Sequence, residues 1–363
     1  MSATEPPVSG QAGLTCDALL AGPRGRSLCT NLLDDRLTTL HGKVPRPWVH
    51  ALHYLRAGDV SRGARLLREC VGLADLSRIP FDGGALLTGL AVAVGFASYS
   101  DEPDNEDQGF ADEAARAALR PVAEAVITAM RTPGLHWWTA PVDRERQRYT
   151  QFLDDHPLPE PLLAGAPKLA AAWLADTLGY EHSAPDRPED PAVPYGGRWW
   201  STPELSRLPV TTRAIPTLGA VALPLTEAGL GWRSARCWPV APEVSARVYE
   251  VHGPGQWTDL VSRYPLDVTK SRRHEWWRAT GRAGHWLIPD YVAVAADWDA
   301  VHVSVAGYLT IAGIAIPAGD GTCTMLAGWN PDATWWLNDV LSPASPPEDW
   351  RRDNQAPFSW ARL

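Results

Sequence analysis

Between Asp267 and Trp286 the chain reads DVTKSRRHEWWRATGRAGHW, which interleaves Arg272, Arg273, Arg278 and Arg282 with Trp276, Trp277 and Trp286. Planar guanidinium forks beside indole walls suit a phosphate, sulfate or carboxylate carried on a flat or apolar body. A helix over 270–279 places Arg273, Trp276 and Trp277 on one face, with Arg272, Glu275 and Arg278 elsewhere, so only part of this charge points inward. The competing reading is a solvated charged face above tryptophans packed in the core. Arg213, in LPVTTRAI, is a further candidate anion holder.

Two histidines are the candidate proton carriers. His252 ends the strand-like RVYEVH, just ahead of Gly253-Pro254-Gly255, at a strand end where functional side chains often gather. His302 lies in AVHVSV and shares a face with Ala300 and Ser304, and a histidine buried in a sheet is more often a satisfied core group than a base. Asp297 and Asp299 are close enough in sequence to orient it. A serine triad of Asp299, His302 and Ser304 is rejected, because no GxSxG elbow exists and consecutive strand positions do not form that geometry.

Other chemistries lack their motifs. GPRGRSLCTNLL, at 22–33, sets two arginines and two glycines ahead of an apolar helix and is suited to hold an anion, but it lacks the P-loop spacing. No GxGxxG follows a strand, and HExxH is absent, so neither a nucleotide cofactor nor a metal is called for. The pairs Asp34-Asp35 and Asp154-Asp155 read as surface charges.

The elements that must position these residues fall in two halves. Residues 1–182 read as a helical domain. WVHALHYLRAGDVSRGARLLRECVGL, at 48–73, forms two helices broken at Gly58-Asp59, with Val49, Leu52, His53 and Leu55 on one inner face and Ala64, Leu66, Leu67 and Cys70 on the next. GGALLTGLAVAVGFASYS reads as a buried core helix rather than a membrane span. An acidic loop at 101–109 precedes a helix expected to kink or break at Pro121, and APKLAAAWLADTLG is expected to end on Gly179. Residues 183–198, with four prolines, read as a linker.

Residues 199–363 carry 14 of the 18 tryptophans. GAVALPL, ARVYEVH, YVAVAA, AVHVSVAGYLTIAGIAI and TCTMLAG read as strands, with a helix at QWTDLVSRY. The fold class is α+β, a helical N-terminal half packed on a Trp-rich, β-rich C-terminal half.

The net charge of −9 argues against a nucleic-acid or anionic-membrane binder. The five cysteines are odd in number and widely spaced, which fits a reducing cytoplasm. No basic region followed by an apolar run opens the chain, so no signal peptide is expected. Only Lys43, Lys168 and Lys270 are lysines among 33 basic residues, a bias that a GC-rich genome produces.

GPRGRSLC, IPDYVAVAADWDAVHVSVAGYLT and LAGWNPDATWWL together resemble a group of actinomycete proteins to which no activity is attached. The resemblance implies an actinomycete source and, by association, recruitment into secondary-metabolite pathways.

The leading expectation is an enzyme of specialised metabolism, a transferase or lyase, acting on a small anionic metabolite. Arg213, Arg272 and Arg273 would hold the anion, Trp276 and Trp286 would exclude water, and His252 or His302 would move the proton. The alternatives are a non-catalytic module whose helical half docks a protein partner, and an ADP-ribosyltransferase-like toxin or immunity factor, against which the missing well-spaced glutamate counts.

Overall fold

The computed structural model describes residues 14–76, 81–97, 105–132, 134–153, 163–183, 187–203, 208–216, 218–353 and 358–363. Asp154-Asp155 and residues 101–104 of the acidic loop lie outside them.

The first half contains α1 (Cys16–Ala21), α2 (Pro23–His41), α3 (Arg46–Arg56), α4 (Val60–Leu73), α5 (Gly83–Gly95), α6 (Asn105–Ala111), α7 (Glu113–Met130), β1 (Gln147–Leu153) and α8 (Ala166–His182). The expected hairpin is α3 and α4. Gly58 turns it at φ +78, and Asp59 caps α4 by accepting from the Arg62 N–H. The inner stripe of α3 is Trp48, Ala51 and Leu55, which keeps Leu55 of the expected stripe but has Trp48 and Ala51 in place of Val49 and Leu52, and Val49 is 52% exposed. The Trp48 indole is the largest apolar group on the helix, and burying it sets the phase.

Helix α7 continues through Pro121, whose exposed position leaves the unpaired carbonyl one turn back open to water. Helix α8 likewise runs past Gly179 to His182. Helix α5 is buried along most of its length, and among the described residues no helix is long and apolar enough to cross a membrane.

The second half contains β2 (Val210–Ile215), β3 (Gly219–Ala220), β4 (Ser234–Pro242), β5 (Val248–Val251), α9 (Pro254–Arg263), β6 (Pro265–Asp267), α10 (Thr269–Thr280) and β7 (His285–Pro289). It continues with α11 (Tyr291–Asp297), β8 (Ala300–Val303), α12 (Val305–Ile311), β9 (Ile316–Gly319), β10 (Thr322–Thr324), β11 (Ala333–Trp336), β12 (Leu341–Pro343), β13 (Glu348–Arg352) and β14 (Trp360–Arg362).

Two segments expected as strands are helical. YVAVAA is α11, because Asp290 accepts from the N–H groups of Val292 and Ala293 and starts a helix there. AVHVSVAGYLTIAGIAI is a strand, a helix and a strand. Its Ser304 hydroxyl accepts from the Gly307 N–H and turns β8 into α12.

The large sheet has ten strands, ordered β14-β13-β4-β1-β2-β11-β8-β5, with β12 and β3 off that path, and β6-β7-β10-β9 form a second sheet. Strand β1 comes from the helical half yet pairs on both sides, with β2 and β4. Helices α1 and α2 pack on α12, and α8 packs on α10 and α11. One hydrophobic core therefore runs from Leu28 and Leu32 through Trp138 and Trp173 to Val251, Val301 and Trp335. This is an α+β architecture whose halves share a sheet strand and a core.

Gly307 lets α12 lie directly on β5. A Cβ there would stand 2.5 Å from the Val251 carbonyl oxygen, which sits in a sheet and cannot retreat. Gly307→Ala is expected to lower unfolding stability by about 1–3 kcal/mol, read as a lower midpoint in urea.

Candidate functional site

Strand register assembles a polar row across the large sheet. Glu250 on β5 pairs with His302 on β8, His302 pairs with Thr334 on β11, and Thr334 pairs with Thr211 on β2. Because side chains alternate along a strand, His252, Asp332 and Arg213, two residues from members of this row, project on the same side. The opposite side carries Val251, Val303 and Ala333 into the core.

His302 is only 1% exposed and lies between two carboxylates, with Nδ1 2.6 Å from Glu250 Oε2 and Nε2 3.3 Å from Asp332 Oδ1. Arg213 Nε donates to Asp332 Oδ1 at 2.7 Å, its backbone N–H donates to Asp332 Oδ2 at 3.1 Å, and Nη2 donates to the Pro141 carbonyl at 2.9 Å. Two carboxylates thus face one guanidinium and one imidazolium. Asp332 holds its place at φ +58, a left-handed conformation that aspartate tolerates better than most residues.

Residues 136–146 cross over this row as a strap. Trp137 covers the Arg213 guanidinium at 5.7 Å, the Val142 N–H donates to Glu250 Oε1 at 3.1 Å, and Arg144 Nη2 donates to the Ala246 carbonyl at 2.6 Å. At its end Gln147 donates to the Asp143 carbonyl at 2.7 Å. The Thr334 hydroxyl beneath is fully buried and has no hydrogen-bond partner among the described residues.

The row meets solvent on the β5 side. The Glu250 side chain is 25% exposed and that of His252 is 20% exposed, with His252 Nε2 3.9 Å from Glu250 Oε2. His252 Nδ1 is closed off from solvent and has no partner among the described residues. His252 directly precedes Gly253, which starts α9 with no side-chain cap.

Charge and burial act in opposite directions on these groups. Burial lowers the pKa of His302, but the Glu250 charge and the hydrogen bonds that His302 donates to Asp332 and Glu250 outweigh it and raise the pKa to about 9. At Glu250 burial acts upward, and the charge and hydrogen bond of His302 prevail and hold the pKa below the usual carboxylate value. At His252 burial wins and lowers the pKa, with the attraction of Glu250 only partly offsetting it. His302 is thereby an imidazolium at neutral pH, and His252 a neutral imidazole.

The structure brings Arg213, His252 and His302 together and puts the remaining candidates elsewhere. Arg272, not Arg273, is the inward arginine of α10. It is 1% exposed, donates to the Trp200 carbonyl and the Ser271 hydroxyl, and burial lowers its pKa to about 10. Arg273 donates to the Pro188 carbonyl. Trp276 and Trp286 are fully buried edge to face, and Trp276 donates to the Trp199 carbonyl at 2.7 Å. The N-terminus of α10 already holds an anion, since both Glu181 oxygens accept from the N–H groups of Lys270 and Ser271. These arginines and tryptophans tie residues 187–200 to α10.

In GPRGR, Arg24 bonds Glu227 at 3.0 Å, Tyr308 bonds the same carboxylate, and Arg26 donates to the carbonyls of Leu20 and Ala21. Asp299 accepts from the Arg247 N–H and Asn338, and Asp297 from the Tyr264 hydroxyl, so neither orients His302. The carboxylates that do, Glu250 and Asp332, were not among the sequence candidates. The only local sign of Asp332 is the turn-forming Asn-Pro-Asp of GWNPDATWW.

All five cysteines are free thiols. Among the described residues no group of three or more His, Cys, Asp or Glu side chains could hold a metal ion. Comparison of the chain with protein-family models, curated proteins and solved structures found no match in any of the three.

Removing Asp332 leaves the buried Arg213 guanidinium without its carboxylate and His302 with one carboxylate instead of two. Asp332→Ala is expected to cost about 3–5 kcal/mol of unfolding stability. The pH dependence follows from the shifts. His302 contributes stability that is complete below pH 6.5 and lost as pH rises through about 9. Glu250 contributes stability that is present above pH 4.5 and lost as pH falls through its lowered value. His252 adds a loss as pH falls below 6.5. Urea midpoints measured across pH should peak between these limits and fall on both sides.

Proposed function

We propose that the protein is an enzyme of specialised metabolism that acts on a small anionic metabolite by group transfer or elimination, with His252 as its proton carrier. The carrying observation is His252 itself. It is partly exposed, neutral at physiological pH, and set with Nε2 beside a fixed carboxylate at the mouth of a buried charge network.

His302 does not fill this role, because both of its nitrogens are engaged by carboxylates and it is shut away from solvent. Its part is to hold Glu250 in place. The anion is assigned to the uncapped first turn of α9, which starts two residues beyond His252 and whose first N–H groups are those of Gly255 and Gln256, since Pro254 has none. Arg213, Arg272 and Arg273 are assigned no ligand, since each is bonded within the protein.

A thermal-shift panel of phosphate, sulfate and small carboxylates tests the reading, because a ligand that binds the native state raises its apparent stability. At least one anion should raise the melting midpoint of the wild type, and Arg273→Ala should leave that shift unchanged. Turnover of the corresponding metabolite should fall about a hundredfold or more in His252→Gln. It should also fall in the wild type as acid protonates His252. Silence across the panel, or a shift lost in Arg273→Ala and kept with full turnover in His252→Gln, overturns the assignment.

A further inference from the structure

A cleft of about 340 Å³ opens between α2 and α5, on elements that take no part in the sheet network. One wall is Asn31, Asp34, Asp35 and Thr38, and the other is Ala85, Thr88, Gly89 and Val92. Each wall follows the i, i+3, i+4, i+7 spacing of a single helical stripe, so two regular helices suffice to build the cleft. Leu32 completes the lining, close against Gly89, where a Cβ would come within 3.0 Å of the leucine side chain.

The two walls are chemically unlike. The α2 wall brings two carboxylates, an amide and a hydroxyl, whereas α5 has no charged residue from Gly83 to Gly95 and presents hydrocarbon and one hydroxyl. Among the described residues no basic side chain lines the cleft. Arg36, the nearest in sequence, is turned away to the carbonyls of Ala74 and Asp75. The Thr38 hydroxyl oxygen is closed off from solvent and has no partner among the described residues.

We propose that this cleft binds a small organic ammonium ion with a short aliphatic body. The cationic head sits against Asp34 and Asp35, with the oxygens of Asn31 and Thr88 accepting its N–H groups. The aliphatic body lies on Leu32, Ala85, Gly89 and Val92. Burial raises the Asp34 pKa, against a lowering by the Trp48 indole, and the like charge of Asp35 raises it further. Among the described residues no cation pairs with Asp34, and an ammonium supplies a counter-ion. A bare divalent cation is less complementary, because calcium takes six or more oxygen ligands and half of this lining is hydrocarbon.

The test is isothermal titration of the full-length protein at low, fixed ionic strength with n-butylammonium chloride, calcium chloride and sodium chloride as probes. The variants are Asp34→Asn, which keeps the side chain's size, and Thr88→Leu, which fills the cleft without touching its charge. The wild type should bind n-butylammonium in preference to sodium. Asp34→Asn should weaken that binding about tenfold or more, and Thr88→Leu should abolish it, each with a circular-dichroism melting curve that still shows a folded protein. The proposal is overturned if n-butylammonium binds no better than sodium, if Asp34→Asn binds it equally well, or if calcium alone is bound. None of these readings depends on the role given to His252.

Discussion

The interaction on which the sheet depends is the clasp of His302 between Glu250 and Asp332. Each ion alone would be intolerable at this depth, since taking a charge out of water costs several kcal/mol even after the surroundings relax. The network exists because its charges cancel. Arg213 answers Asp332, His302 answers Glu250, and Arg213 Nη2 and Glu250 Oε1 are met by backbone groups at Pro141 and Val142. Four strands contribute to this cancellation, so their register cannot slip without stranding a charge. A hydrophobic sheet face would be at least as stable in principle. What the ionic face adds is a fixed register and a carboxylate held at the solvent boundary.

That constraint explains how the two halves of the chain are joined. Strand β1 reaches the sheet from the helical half, and the strap that precedes it closes over the ionic row. The helical half is therefore tied to the site by backbone hydrogen bonds as well as by the shared core. The Arg- and Trp-rich stretch serves a parallel purpose on the other side. Residues 187–200 have few partners of their own in a sheet or helix, and carbonyls of Pro188, Trp199 and Trp200 find donors on Arg273, Trp276 and Arg272. Side chains that look built for a ligand are satisfying main-chain oxygens instead.

The sequence made some of this legible and concealed the rest for identifiable reasons. Local signals served well: Gly58-Asp59 marks the α3–α4 turn, and the apolar period of QWTDLVSRY marks α9. Alternating valines in YVAVAA failed as a strand signal because the cap supplied by Asp290, one residue upstream, decided the conformation. The candidate site was half visible. His252, His302 and Arg213 carry types that invite attention, whereas Glu250 and Asp332 became partners of His302 only through strand pairing across 52 and 30 residues of chain. Pairing at that range leaves no periodic trace in a single sequence. Arg272 and Arg273 are adjacent, and which of them turns inward is settled by where the Trp200 carbonyl lies.

The different protonation states of the two histidines follow from the same electrostatics. A base must be able to lose and regain a proton during reaction, and a group whose two ring nitrogens face carboxylates is held in one protonation state. His302 is fixed as a cation by the very contacts that make its burial tolerable. His252 has a single carboxylate at a longer distance, so burial prevails and the ring stays neutral. Glu250 is shared between them, and its grip on His302 limits how strongly it can stabilise a proton on His252. The buried clasp thus favours a neutral His252 beside an ordered carboxylate, and it does so with groups that need never touch a ligand.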